Sequence, residues 1–246
     1  MKILISGLKG FMGKELYALC EKGVRGAEAA GGVDINADGS EPVACSKTFA
    51  DAAPADCIID FSHHSATVAL FARALETRCP VVLATTGQTP EERAVIEAAA
   101  KEIPVFFAAN FSLGIALLIE LAKQAAAAMP EAEIEIVEAH HDRKLDAPSG
   151  TALAIFEGIK EVRPAATANL GRSGYGKRTP EEIGIHAVRM GNITGIHEVI
   201  IGTANQTVTL KHEAHSRALF AEGALAAAQF LIGKPAGLYD MKSLLA

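Results

Sequence analysis

The stretch I-L-I-S-G-L-K-G-F-M-G, Ile3 to Gly13, constrains the chain more than any other. Lys2–Ser6 is a short apolar run of strand character. Helical spacing then carries Met12, Leu16 and Leu19 on one stripe between Phe11 and Lys22. Gly7, Gly10 and Gly13 fall at the junction, spaced G-x-x-G-x-x-G, a variant of the G-x-G-x-x-G fingerprint. Glycine permits the tight turn and lets backbone N–H groups approach a pyrophosphate, and the helix N-terminus adds a favourable field. A plain strand-to-helix turn would use glycines as well. Two features favour a dinucleotide: the motif opens the chain, and Asp34 ends a second strand-like run, Glu28–Val33, about 20 residues on. Asp34 is placed to accept hydrogen bonds from an adenosine ribose and to repel a 2′-phosphate. The next residue is Ile35, not a cation, so the ribose end leans to NADH. Lys9 stands close enough in sequence to leave NADPH open.

The alternation continues. Cys57–Phe61, Pro80–Ala84 and Pro104–Phe107 are buried-strand runs, and Ala66–Glu76 and Pro90–Lys101 carry helical spacing. Strands alternating with helices of this length predict a parallel sheet covered on both faces. In such sheets ligands sit at the carboxyl ends of strands, so Asp60-Phe61-Ser62 and Ala84-Thr85-Thr86-Gly87 line the nicotinamide half. His63-His64 reads as a capping turn before a helix at Ser65.

After Phe111 the pattern changes. Leu113–Ala128 is a long helix rich in Ala and Leu, and Glu133–His141 alternates acidic and apolar residues as a half-exposed strand does. Ser149–Glu161 is a helix and 163–180 a long loop. Ile183–Met190, Gly195–Gly202 and Thr207–His212 then predict an antiparallel meander, and Arg217–Leu231 an apolar helix. The fold expectation is therefore α/β: a Rossmann-like dinucleotide-binding domain plus an α+β domain with a mixed, largely antiparallel sheet.

Half of the 246 residues are hydrophobic and 21% are charged, which is globular composition. A net charge of −6 argues against general affinity for nucleic acid, which needs clustered cations. It leaves room for a local cationic pocket. Cys20, Cys45, Cys57 and Cys79 are scattered in or beside apolar runs and read as buried free thiols. The longest uncharged apolar stretch, 105–119, is interrupted by Asn110, Ser112 and Gly114 and does not read as a membrane span. No signal peptide is visible. A cytoplasmic protein without membrane or nucleic-acid partners is the expectation.

The densest chemistry lies in E-A-H-H-D-R-K-L-D-A-P-S-G-T-A, Glu138 to Ala152. Ser149 is a helix N-cap, so Gly150 and Thr151 are the first helical residues, with N–H groups placed to bind an anion. Lys144 supplies a mobile charge, and histidine titrates where a general acid is useful. A polar loop before a capped helix explains Pro148-Ser149 but not the preceding His-His-x-x-Lys. A metal site is the other reading, although adjacent histidines on a strand point opposite ways and no H-x-x-x-H or cysteine partner is near. No metal is expected.

This stretch resembles the signature of the 4-hydroxy-tetrahydrodipicolinate (dihydrodipicolinate) reductase family of the diaminopimelate route to lysine. The resemblance runs almost end to end. It takes in the Gly7 loop, D-F-S at 60–62, T-T-G at 85–87, A-A-N-F-S at 108–112, I-G-I-H-A-V-R at 183–189, H-E-A-H-S-R-A-L-F at 212–220 and G-L-Y-D-M at 237–241. It implies His140 as catalytic acid/base and Lys144 as its proton-donating partner. It implies that His141, Lys144, Ser149, Gly150 and Thr151 hold the two carboxylates of a small cyclic substrate. Gly7, Lys9, Gly10, Phe11, Met12, Asp34, Ala84, Thr85, Thr86, Ala108, Ala109, Asn110 and Phe111 resemble cofactor-binding positions. Arg217 and Phe220 resemble residues that approach the dinucleotide from the returning helix.

The resemblance further implies a dinucleotide domain of 1–110 completed by 217–246, a substrate-binding and tetramerisation domain of 111–216, and a homotetramer; closure of the domains on the two ligands is a further expectation. Ile35 stands where many members carry arginine, and Ala84 where many carry glycine. Two alternatives share the fold: a dehydrogenase of another small acid, and a dinucleotide sensor without turnover.

Overall fold

The structure, a computed structural model, describes residues 1–245. The chain divides into two compact units: Met1–Ser112 with the C-terminal segment from Arg217, and Leu113–Ser216. The first unit begins with strands β1 (Lys2–Ser6), β2 (Glu28–Val33), β3 (Cys45–Ser46), β4 (Cys57–Asp60), β5 (Val81–Leu83) and β6 (Pro104–Phe107). Helices α1 (Phe11–Glu21), α2 (Thr67–Thr77) and α3 (Pro90–Ala99) alternate with them. All six strands pair in parallel. β4 and β5 are buried along their whole length, as apolar strands covered on both faces must be. The helix starts follow local chemistry: Thr89 accepts from Glu92 N–H while Glu92 reaches back to Thr89 N–H, with Pro90 at the first turn of α3.

The second unit opens with α4 (Leu113–Ala128), then β7 (Glu133–His140), α5 (Gly150–Val162), β8 (Thr167–Asn169), β9 (Glu182–Arg189), β10 (Gly195–Thr203) and β11 (Gln206–Ala214). Its sheet runs β11-β10-β7-β9-β8. One core joins Ile115 and Leu118 of α4, Ile134 and Ile136 of β7, Ile155 of α5 and Val199 of β10. The meander expected for the last three strands is not formed. Only β10 and β11 make an antiparallel hairpin, and β9 lies on the other side of β7, parallel to it. The G-N turn at 191–192 carries the chain over the end of β7 instead of closing a hairpin. Met190 N–H donates to His140 O (3.0 Å), and His141 N–H donates to Ile193 O (2.8 Å). β7 is thereby satisfied on both edges. The sheet is mixed, with two antiparallel and two parallel pairings. The segment expected as a loop from 163 to 180 contains β8, which extends the parallel side.

The chain then returns to the first sheet with α6 (Ala218–Leu231), β12 (Gly237–Tyr239) and α7 (Met241–Leu245), giving the order β12-β6-β5-β4-β1-β2-β3. α6 shares a core with α1, burying Ala221, Ala224, Leu225 and Ala228 beside Leu16 and Ile59. α2 and α3 cover the opposite face with Leu70, Phe71 and Ile96. All four cysteines are free; Cys20, Cys57 and Cys79 are buried as expected, but Cys45 is only half-buried because β3 is an edge strand. Among the described residues no helix is long and apolar enough to cross a membrane.

Candidate active site

The parallel order of the first sheet sets its carboxyl ends side by side, and the expected cofactor positions follow those ends. Gly7 adopts φ +81°, and a Cβ there would lie 2.7 Å from Phe61 O. A Cβ at Gly13 would lie 2.1 Å from Gly7 O. The loop and the first turn of α1 therefore approach closely only with glycine at both places. Gly13→Ala is expected to cost about 1–3 kcal/mol, read as a lower urea midpoint at unchanged m-value.

Asp34, just past β2, accepts from Lys9 N–H (2.9 Å) and from Asn36 N–H (2.9 Å). Lys9 is itself engaged: its Nζ lies 2.7 Å from Asp38 and 3.2 Å from Glu41. Phe11 is exposed and stacks against the Arg217 guanidinium at 5.6 Å, which places the start of α6 beside the glycine loop. Met12 and Phe220 are half-buried against the core of this face, as is Ala84 after β5.

Not every expected position presents a side chain. The Thr85 hydroxyl donates to Asp60 (2.5 Å), while Thr86 is exposed. Ala108 is half-buried, Ala109 is exposed, and Asn110 Oδ1 accepts from Ser112 N–H. Phe111 is buried against Phe61 and Phe106. Asp60, expected in a loop lining the nicotinamide half, has its carboxylate buried, where it accepts from Ser6, Ser62 and Thr85 hydroxyls. It ties the carboxyl ends of β1, β4 and β5 together, which are the ends bearing the expected cofactor loops. Burial pushes its pKa up against the opposing hydroxyl donors. His63 caps the short turn at His64–Ala66 by accepting from Ser65 N–H.

In the second unit, Ser149 is the N-cap of α5, and its Oγ accepts from Ala152 N–H (3.2 Å). Gly150 is exposed, and a Cβ there would meet no protein atom within 4 Å, so the helix start is open on that side. Thr151, the next residue, is half-buried, as is His141, and Lys144 Nζ pairs with Asp146 (2.8 Å). His140 ends β7 with Nδ1 2.7 Å from Glu138 Oε2.

Three residues complete this group that the sequence reading did not single out. Glu138 is fully buried and is gripped by both Arg189 terminal nitrogens (2.8 and 2.7 Å) and by Ser149 N–H (2.9 Å). Burial works to raise its pKa, but the bonds from Arg189, His140 and Ser149 outweigh it and hold the carboxylate below its ordinary range. His197 Nε2 lies 3.1 Å from Ser149 Oγ, and its ring packs edge-on against His140 at 5.2 Å. Burial first, then the neighbouring His140, pushes the pKa of His197 down to about 4. The ring is neutral at physiological pH.

A signal for these residues exists in the period of the strands. Ile134 and Ile136 point inward, so Glu138 and His140 stand in the same inward row. Val199 and Ile201 share a row with His197, and Ile183 and Ile185 with Arg189. The inner face of the sheet thus turns polar where β7 ends. Among the described residues no group of three or more His, Cys, Asp or Glu side chains is placed to hold a metal ion.

Comparison with known proteins identifies the family. The family profile described as dihydrodipicolinate reductase, N-terminus, matches residues 1–111, and that for the C-terminus matches residues 114–245. A 4-hydroxy-tetrahydrodipicolinate reductase from Caldanaerobacter subterraneus subsp. tengcongensis is 44% identical over 99% of this chain and 98% of its own length. One from Alkaliphilus metalliredigens is 42% identical over 100% and 99%. A solved dipicolinate-bound dihydrodipicolinate reductase from Paenisporosarcina sp. TG-14 superposes with a TM-score of 0.81 at 25% identity, covering 98% of this chain and 97% of that one. Aspartate dehydrogenase from Thermotoga maritima, at 16% identity and a TM-score of 0.52, shares the fold alone. The two profiles together span nearly the whole chain, and the chain belongs to the dihydrodipicolinate reductase family.

Proposed function

We infer that the protein catalyses the NAD(P)H-dependent reduction of 4-hydroxy-tetrahydrodipicolinate to tetrahydrodipicolinate in lysine and diaminopimelate biosynthesis. The observation that carries the reading is the cluster at the end of β7. It joins a histidine backed by a buried carboxylate to a capped helix start open to an anion. The glycine loop, Asp34 and the loops after β5 and β6 hold the dinucleotide, and the cradle closes on itself if a Cβ is added at Gly7 or Gly13. The bound reduced nicotinamide supplies a hydride.

The chain's own residues supply everything else. Lys144, His141 and the N–H groups of Gly150 and Thr151 neutralise and orient the substrate carboxylates, with the Ser149 hydroxyl beside them. His140 donates the proton that completes reduction after water has left C4 of the ring, and Lys144 is its proton-donating partner. The protein acts in the cytoplasm as a homotetramer assembled through the sheet of the second unit. The half-exposed Val137, Ile196 and Ile200 on the face turned away from the helix-covered core support that assembly.

NADH is the preferred cofactor. Asp34 repels a 2′-phosphate, Ile35 offers no cation, and Lys9 is already paired with two carboxylates. The test generates the substrate in place from pyruvate and aspartate semialdehyde with its synthase, and follows loss of reduced-nicotinamide absorbance with each cofactor. Substrate-dependent oxidation is expected, with NADH favoured in kcat/KM by at least about tenfold, equivalent to ~1.4 kcal/mol. Oxidation of neither cofactor by a folded protein that binds NADH would favour the other dehydrogenase or the sensor.

A further inference from the structure

We propose that Glu138, clamped by Arg189, is the positioning residue that holds His140 with a proton on Nδ1, so that Nε2 is the nitrogen exchanging a proton with substrate. The proposal rests on the reading of His140 as acid/base and adds what selects its working nitrogen.

The geometry around Glu138 is saturated. Oε2 accepts from Arg189 (2.8 Å) and faces His140 Nδ1 (2.7 Å), and Oε1 accepts from Arg189 (2.7 Å) and Ser149 N–H (2.9 Å). An ionised carboxylate only accepts, so His140 must donate from Nδ1. The Arg189 fork fixes the plane of the carboxylate and thereby the direction of the ring. Arg189 is held in turn by donating to Asp146 O (2.7 Å). Nε2 is left on the far edge of the ring, beside Gly195. A Cβ there would lie 3.2 Å from Nε2, so glycine keeps that edge open.

An ion pair kept only for stability would not need His140. A buried pair is a weak stabilising device, and apolar residues often replace one without loss. Here one carboxylate serves two functional parts: one oxygen fixes the ring of the acid and the other fixes the N-cap of the helix that receives the anion.

Glutamine at position 138 discriminates. With its carbonyl at the Oε1 position it still accepts from Arg189 and Ser149. Its NH2 then faces His140 Nδ1, which must become the acceptor. The opposite orientation points NH2 at both Arg189 and Ser149 N–H, two donor clashes instead of one. Glu138→Gln is therefore expected to reverse the ring tautomer and to disfavour the imidazolium.

The experiment records 15N spectra of the full chain labelled at histidine, with His140 assigned by its loss in His140→Gln. The wild-type neutral ring is expected to carry hydrogen on Nδ1, and Glu138→Gln to move it to Nε2. Glu138→Gln should lower kcat on the order of 10²-fold or more. The double variant Glu138→Gln/His140→Gln should be no slower than His140→Gln alone, because Glu138 acts through the ring. A wild-type ring protonated on Nε2 overturns the proposal even if the variant fails to fold. So does a double variant slowed by the full Glu138 factor. Unchanged kcat in His140→Gln would instead remove the acid reading, and the ring spectrum separates the two because it needs no turnover.

Discussion

His140→Gln is expected to lower kcat by about 10²–10⁴-fold while KM for the cyclic dicarboxylate stays within a few-fold. Glutamine keeps a polar end of similar reach but has no proton to give near neutral pH. The fold should tolerate the change. Glu138 loses one of four donors and keeps Arg189 and Ser149 N–H, so its buried charge stays compensated. The neighbouring His197 cannot take over: its pKa lies near 4, and its Nε2 is engaged with Ser149 Oγ. Steady-state kinetics with NADH check this. A large rise in KM with kcat intact would mean that His140 binds substrate and does not transfer the proton.

The features legible in the sequence were those fixed within a few residues of chain. The Gly7 loop, the Ser149 cap and the strand-helix alternation each depend on local periodicity or on one residue's conformational freedom. The placement of β9 was not legible, because a G-N turn suits a hairpin and only the distant β7 decides that it crosses a strand end. Glu138 was legible in period but not in meaning. In E-I-E-I-V-E the acids look like one outward row, yet Val137 shifts the phase and turns the last acid inward. Arg189 and His197 were legible only as inward-facing strand positions; they lie 51 and 48 residues from the partners they serve, Glu138 and Ser149, and nothing local names those partners. Lys9 is the converse. Its charge was visible, but its capture by Asp38 and Glu41 depends on how the segment after β2 folds back.

Lys144→Ala is expected to damage both kcat and KM, because the proposed function gives the lysine two separable roles. Its Nζ lies 2.8 Å from Asp146, whose carboxylate it holds below the ordinary range. Substrate carboxylate would compete for that cation, and a charge-assisted bond of about 1.5–3 kcal/mol corresponds to roughly 10- to 100-fold in KM. Alanine also strips Asp146 of its ion-pair partner near the helix start, adding repulsion to the lost attraction. Asp146→Asn in the Lys144→Ala background should therefore recover part of KM and none of kcat. Lys144→Arg separates the roles from the other side: it restores the charge but holds its proton too tightly to release it. Recovery of KM with kcat still depressed would support proton donation by Lys144. Full recovery of both would reduce Lys144 to a cation for the substrate and leave His140 as the single proton source.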